Sequence, residues 1–155
     1  YSWAASDVYK RQAVLVLMGL AFFASSYPAG ALSDRTSRGG VLAVGLVLLL
    51  AADLVLATAD SYWGLGAGLV LWGLHMGFTQ GLLAALVADT ATTELRGTAF
   101  GMFNLLTGLA LLIASVLAGL LWDVIGHQGT FYAGAGFAAA ALAGLALLRR
   151  RGILR

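Results

Sequence analysis

The stretch Gly39 to Ala59, GGVLAVGLVLLLAADLVLATA, carries a single charge, Asp53, along its whole length. Between Val41 and Ala52 there is none of the alternation of apolar with polar residues that the strands of a membrane barrel require. A helix rising 1.5 Å per residue needs about 20 apolar residues to cross roughly 30 Å of hydrocarbon, and this stretch supplies them. The same reading extends outward, because the charges are sparse enough to punctuate the chain. Gln12 to Ser33 is uncharged between Arg11 and Asp34, and Ser61 to Ala88 between Asp60 and Asp89. Gly97 to Trp122 lies between Arg96 and Asp123, and Val124 to Leu148 between Asp123 and Arg149. Spans are therefore expected at 13–33, 40–59, 62–87, 97–122 and 129–148. The fold class is all-α, a polytopic membrane helix bundle of five transmembrane helices.

Composition agrees. Of 155 residues 61% are hydrophobic and only 10% charged, with a mean hydropathy of +0.91. Soluble chains carry roughly a quarter charged residues, so water is the wrong solvent for this one. A net charge of +2 is too thin for a nucleic-acid groove, which needs a field of clustered cations. With no cysteine, disulfides, thiolate metal sites and cysteine nucleophiles are excluded. No cofactor and no metal is expected.

Local signals mark several boundaries. The one proline, Pro28, falls near the end of the first span, where a freed carbonyl costs least. Asp60 and Ser61 can cap a helix beginning at Trp63, and Thr130 can cap the last one. Trp63 and Trp122 flank helix ends as interfacial anchors do. Orientation follows from the arginines, because positive residues in short loops stay cytoplasmic. One side receives Arg35, Arg38, Arg96, Arg149, Arg150, Arg151 and Arg155, while the two loops of the other carry Asp60 and Asp123 and no Lys or Arg. An integral, multi-pass protein of the plasma (inner) membrane is expected, its basic tail over 149–155 in the cytoplasm. Five crossings put the N-terminus outside, with Lys10 and Arg11 against the rule. Residues 1–12 begin without Met and join the first span abruptly, so they are expected to be an irregular edge of truncated or non-native sequence, outside the bundle over 13–155.

After the first span the chain reads Gly30-Ala31-Leu32-Ser33-Asp34-Arg35-Thr36-Ser37-Arg38-Gly39-Gly40. This resembles the G-x-L-a-D-r-x-G-r-k signature of the major facilitator superfamily at Gly30, Leu32, Asp34, Arg35 and Arg38. It departs at Ser37, where the family has its second glycine, and at Gly39, where it has its last basic residue. Arg96-Gly97, continuing to Gly101 and Asn104, is similar to the family's R-G-x-x-x-G phrase. Members have two bundles of six helices, with the signature after the second and eighth. An outer N-terminus, the signature after the first of five spans and a basic tail imply helices eight to twelve, most of a C-terminal bundle whose partner is the missing N-terminal bundle of the same protein. The resemblance further implies that Gly30, Asp34, Arg35, Arg38 and Arg96 belong to a cytoplasmic latch that holds one of the alternating states. Asp34 is expected to accept hydrogen bonds from a helix N-terminus or to pair with Arg96, and Arg38 to face Asp89 or Glu94.

Few polar groups lie inside the spans. His75 sits near the middle of the third, where an ionisable group is costly and usually functional or paired. It shares a face with Trp72 and Thr79, while Gln80 lies along an edge made by Gly73, Gly77 and Gly81. The resemblance sets this helix against the substrate cavity, making His75 and Gln80 candidates for the substrate or proton pathway. On the fourth span Gly97, Gly101, Asn104, Gly108, Ser115 and Gly119 form a narrow stripe, read either as close helix packing with Asn104 as polar glue or as cavity lining. Asp53, in the outer half of the second span, is a candidate for proton coupling within reach of water, although the resemblance sets that helix at the bundle periphery.

Two functions compete. One is a fragment of a secondary active transporter that moves a small-molecule substrate across the lipid membrane by alternating access, with proton-coupled efflux of a neutral or amphiphilic solute. The other is a small five-helix membrane scaffold or assembly protein without transport activity. An enzyme is not expected, because Ser25 and Ser26 have no histidine near in sequence, His75 and His127 fall at different depths, and no carboxylates cluster at one depth.

Overall fold

The computed structural model describes residues 2–151, with the side chains of residue 9 and of residues 12–151. Its elements are α1 (Ser2–Arg35), α2 (Arg38–Ala57), α3 (Tyr62–Thr90), a 3₁₀ turn (Thr93–Leu95), α4 (Arg96–Ile125) and α5 (His127–Arg150). All five α-helices are long and apolar enough to cross a membrane, α1 from Gln12 onward. Each charge-bounded span thus falls on one helix, within a few residues at the ends. The exception is the start of α1, where the backbone of residues 2–12 is helical and not an irregular edge. That stretch contains no glycine or proline to stop a helix, so α1 runs on past its apolar segment.

The helix starts have local causes. Ser61 caps α3, accepting from the Gly64 N–H at 3.1 Å, and the helix begins at Tyr62. Ser37, a departure from the family signature, caps α2 in the same way, accepting from the Gly40 N–H at 3.2 Å. The last helix is not capped by Thr130. It opens on Gly126, whose φ of +90° and ψ of −174° form a conformation essentially closed to residues with a side chain, and the chain turns there from α4 into α5. Thr130 lies inside the first turn and its Oγ1 is 3.4 Å from both Gly126 O and Ala118 O, tying α5 to α4.

α3 is the centre of the bundle. α1 packs along one side of it, α2 along another, and α5 covers the remaining side of α2, while α1 and α2 hardly touch. In lipid, helices gain little from burying leucine, and association rests on close backbone approach. Gly73 and Gly77 provide it toward α1: a Cβ at Gly73 would lie 2.8 Å from Ala21 Cβ and collide with Met18 O, and one at Gly77 would lie 3.0 Å from Phe22 O and collide with Ser25 Oγ. Gly81, the third member of the expected edge, faces open space. Gly45 admits Phe78 and Thr79 between α2 and α3.

α4 behaves differently from the other four. None of its residues is buried, and Gly97, Gly101, Gly108 and Gly119 have nothing within 4 Å of a built Cβ. The stripe read as a packing face therefore meets no helix among the described residues. α4 is held at its two ends, by the 3₁₀ turn after α3 and by the Gly126 turn, where Trp122 and His127 rings lie 6.2 Å apart.

Candidate functional site

The alternation of the helices brings the α1–α2 turn, the end of α3 and the end of α5 together, and this is the end where the arginines gather. Arg38, the first residue of α2, forms an ion pair with Asp89 near the end of α3 at 2.5 Å. Asp89 is thus the partner of Arg38, and Glu94 is not. The pair is half open to solvent, which limits its contribution to about 1 kcal/mol or less. Asp34 and Arg35 of the same turn are exposed, and Gly30 lies a turn earlier with open space beside it. The Asp34–Arg96 pairing is not formed. Arg96 is exposed at the foot of α4, and Asp34 has no ion-pair partner among the described residues. The element missed in the sequence is Arg149, whose Nη2 donates to Ser37 Oγ at 3.4 Å and whose stem covers Gly39. Its spacing was legible in retrospect, since Leu145, buried against α2, lies one turn before it on the same face of α5.

The polar groups within the spans do not converge. His75 points at α2, with Nδ1 2.8 Å from Gly45 O. A carbonyl only accepts, so Nδ1 carries the proton and the ring tautomer is fixed. Thr79 is buried beside it and donates to His75 O at 2.9 Å, and Trp72 on the same face meets Phe131 of α5 edge to face at 6.2 Å. The shared face of Trp72, His75 and Thr79 is therefore an inter-helix contact. Gln80 is exposed on a different face, and Asn104 is exposed on α4.

Asp53 is not open to water; it is only 4% exposed, packed between α2 and α5. A Cβ at Gly134 would lie 2.7 Å from its Oδ2, so glycine at 134 makes the room for the carboxyl group. Among the described residues no cation pairs with it. Tyr132 of α5 is half exposed, and the part α5 plays in the polar chemistry here is the gap it leaves for Asp53. No group of three or more metal-ligating side chains occurs among the described residues.

A family model described as Major Facilitator Superfamily matches residues 7–153. Over 136 residues the chain is 32% identical to the uncharacterized MFS-type transporter MJ1317 of Methanocaldococcus jannaschii, covering 88% of this chain and 33% of that protein. It is 33% identical over 135 residues to the class C tetracycline resistance protein of Escherichia coli, covering 87% of this chain and 32% of the relative. In three dimensions it matches a mutant of the peptide transporter POT solved with alafosfalin, at a TM-score of 0.74 and 20% identity, over 86% of this chain and 28% of that one. The chain spans about a third of the length of these curated relatives.

Proposed function

Because the chain belongs to the major facilitator superfamily, a family of transporters and not of enzymes, we propose that it supplies most of the C-terminal bundle of a secondary transporter that moves a small solute by alternating access. Its partner in that machine is the N-terminal bundle of the same protein. The arginine end lies in the cytoplasm of an inner-membrane protein, as the positive-inside rule requires. The observation that carries this reading is the arrangement of the signature turn. Arg38 is engaged within the chain by Asp89, and Arg149 braces Ser37, so the turn is held firmly while Asp34 and Arg35 stay exposed. Exposed charges on a braced turn are what a latch to a second bundle needs, and Arg96 at the foot of α4 adds a third.

The solute path is built from groups left unsatisfied by the chain's own packing. Gln80 and Asn104 meet that condition and are proposed to face the cavity. His75 keeps Nε2 available while Nδ1 is committed to Gly45, and Asp53 is the proposed proton carrier. With almost no fixed charge on this side of the cavity, a neutral or amphiphilic solute is favoured, exported against proton entry.

The test begins with the encoding DNA upstream of Tyr1. An open frame continuing through roughly seven more spans of about 20 residues each supplies the other half, and the complete protein is then reconstituted in vesicles under a pH gradient. Gradient-driven movement of a fluorescent amphiphile, slowed by Asp34→Asn and kept by Asp34→Glu, is the expected result. A native start codon just before Gln12, with no movement of any solute, would replace transport by the scaffold reading.

A further inference from the structure

A cavity of about 490 Å³ opens at the arginine end beside the α1–α2 turn, and its lining includes Asp34 and Arg38 of the latch. Its floor is apolar, made by Leu42 of α2, Leu86 of α3 and Leu145 of α5. One turn beyond Leu145, Arg149 reaches the edge of this opening and touches Ser37, another of its lining residues. A guanidinium has five donors in a planar fork, and Ser37 takes only one. Of the two carboxylates at the cavity, Asp89 is neutralised by Arg38, and Asp34 is exposed to solvent. Arg35, Arg150 and Arg151 are exposed at the same end, so the field around the opening is positive.

A cationic rim above a leucine floor, at the depth where a membrane helix meets its headgroups, matches one chemistry closely. A phosphodiester takes the rim and the first methylenes of its acyl chains take the floor, whereas a soluble anion gains nothing from three leucines. We propose that this cavity binds the headgroup of an anionic phospholipid from the leaflet that meets the arginine end, with Arg149 as its principal ligand. Phosphate oxygens accept from the free donors of Arg149 and from the hydroxyl of Ser33, and the bound lipid fastens α5 to the α1–α2 turn.

The 155-residue chain, assembled in nanodiscs of phosphatidylcholine with a minor share of phosphatidylglycerol, is ejected directly into a native mass spectrometer and weighed with the lipid it retains. Phosphatidylglycerol is expected to be held in preference, and Arg149→Gln to lower its retention about tenfold, as loss of a charge-assisted contact does. Leu86→Trp fills the floor while keeping every arginine and is expected to lower retention as much, whereas Arg151→Gln leaves it unchanged. Equal retention of the two lipids, or equal losses for Arg149→Gln and Arg151→Gln, would reduce the site to diffuse charge attraction and overturn the proposal. Displacement of the lipid by inorganic phosphate as readily as by glycerol 3-phosphate would overturn it in favour of a free anion. None of these readouts depends on transport, so the proposal and the transport reading fail separately.

Discussion

Replacing Gly73 by alanine puts a methyl carbon where α1 already lies. Its nearest neighbours would be the Met18 carbonyl oxygen, Ala21 Cβ at 2.8 Å and Phe22 N at 3.2 Å. All three are backbone atoms or fixed directly to it, so no side chain can rotate aside and the helices themselves must separate. Ordinary carbon contacts lie at about 3.5–4.0 Å, which sets the required movement on the order of 1 Å. Overpacking of this kind costs about 1–3 kcal/mol, against which alanine returns up to about 1 kcal/mol of helix propensity. Gly81→Ala brings the same propensity into open space on the same helix. The difference between the two variants isolates the close approach at about 1–3 kcal/mol, or about 5- to 150-fold in the α1–α3 equilibrium. The chain has no cysteine of its own, so dyes on Tyr27→Cys and Thr90→Cys, both at exposed positions, report that pair alone. Energy transfer followed through an SDS titration in mixed micelles should break earlier for Gly73→Ala and at the parent midpoint or later for Gly81→Ala. Coincident midpoints for the two variants would refute the argument that α1 and α3 are joined by backbone approach at Gly73.

Three further tests address the other contacts. His75→Phe removes the donor to Gly45 O and should destabilise the α2–α3 pair by about 0.6–2 kcal/mol, read by the same titration with dyes on α2 and α3. Gly134→Ala crowds Asp53 and should cost about 1–3 kcal/mol, and adding Asp53→Ala should recover much of it in a double-mutant cycle; independent, additive costs would show that the two do not touch. Gly126→Ala forces a side chain into its φ +90° conformation and should cost about 1–3 kcal/mol, seen as loss of the energy transfer between labels on α4 and α5 while the α1–α3 pair keeps its midpoint.

The architecture was legible where one physical rule dominates. Charges are costly in hydrocarbon, so Arg38, Asp60, Asp89, Arg96, Asp123 and Arg149 bracket the helices to within a few residues. The Arg38–Asp89 pair was legible for the same reason, since both sit at the ends of spans that the alternation brings together. What stayed hidden depends on which way a helix is rotated. Spacing put Gly73, Gly77 and Gly81 on one edge, but only the first two meet α1, and Gly81 faces open space. Spacing also put His75 on a face with Trp72 and Thr79, without disclosing that the face meets α2 and α5. Asp53 was readable as an anomaly, but its neighbour Gly134 was one of 21 glycines with nothing in the sequence to single it out. The irregular edge expected over 1–12 rests on the missing Met and the abrupt join to the first span, and neither stops a helix in a stretch without glycine or proline.

The contact of Asp53 with Gly134 also has a place in the timetable of synthesis. The two residues are 81 positions apart in the chain, with α3 and α4 between them. At about 5–20 residues per second, a ribosome delivers Gly134 roughly 4–16 s after Asp53. α1, α2 and α3 can meet as soon as α3 is made, but the carboxyl-bearing face of α2 waits through that interval for α5 to cover it. Over those seconds the nascent helix presents a carboxyl group to lipid or to the insertion machinery, and α5 is the segment whose arrival ends the exposure.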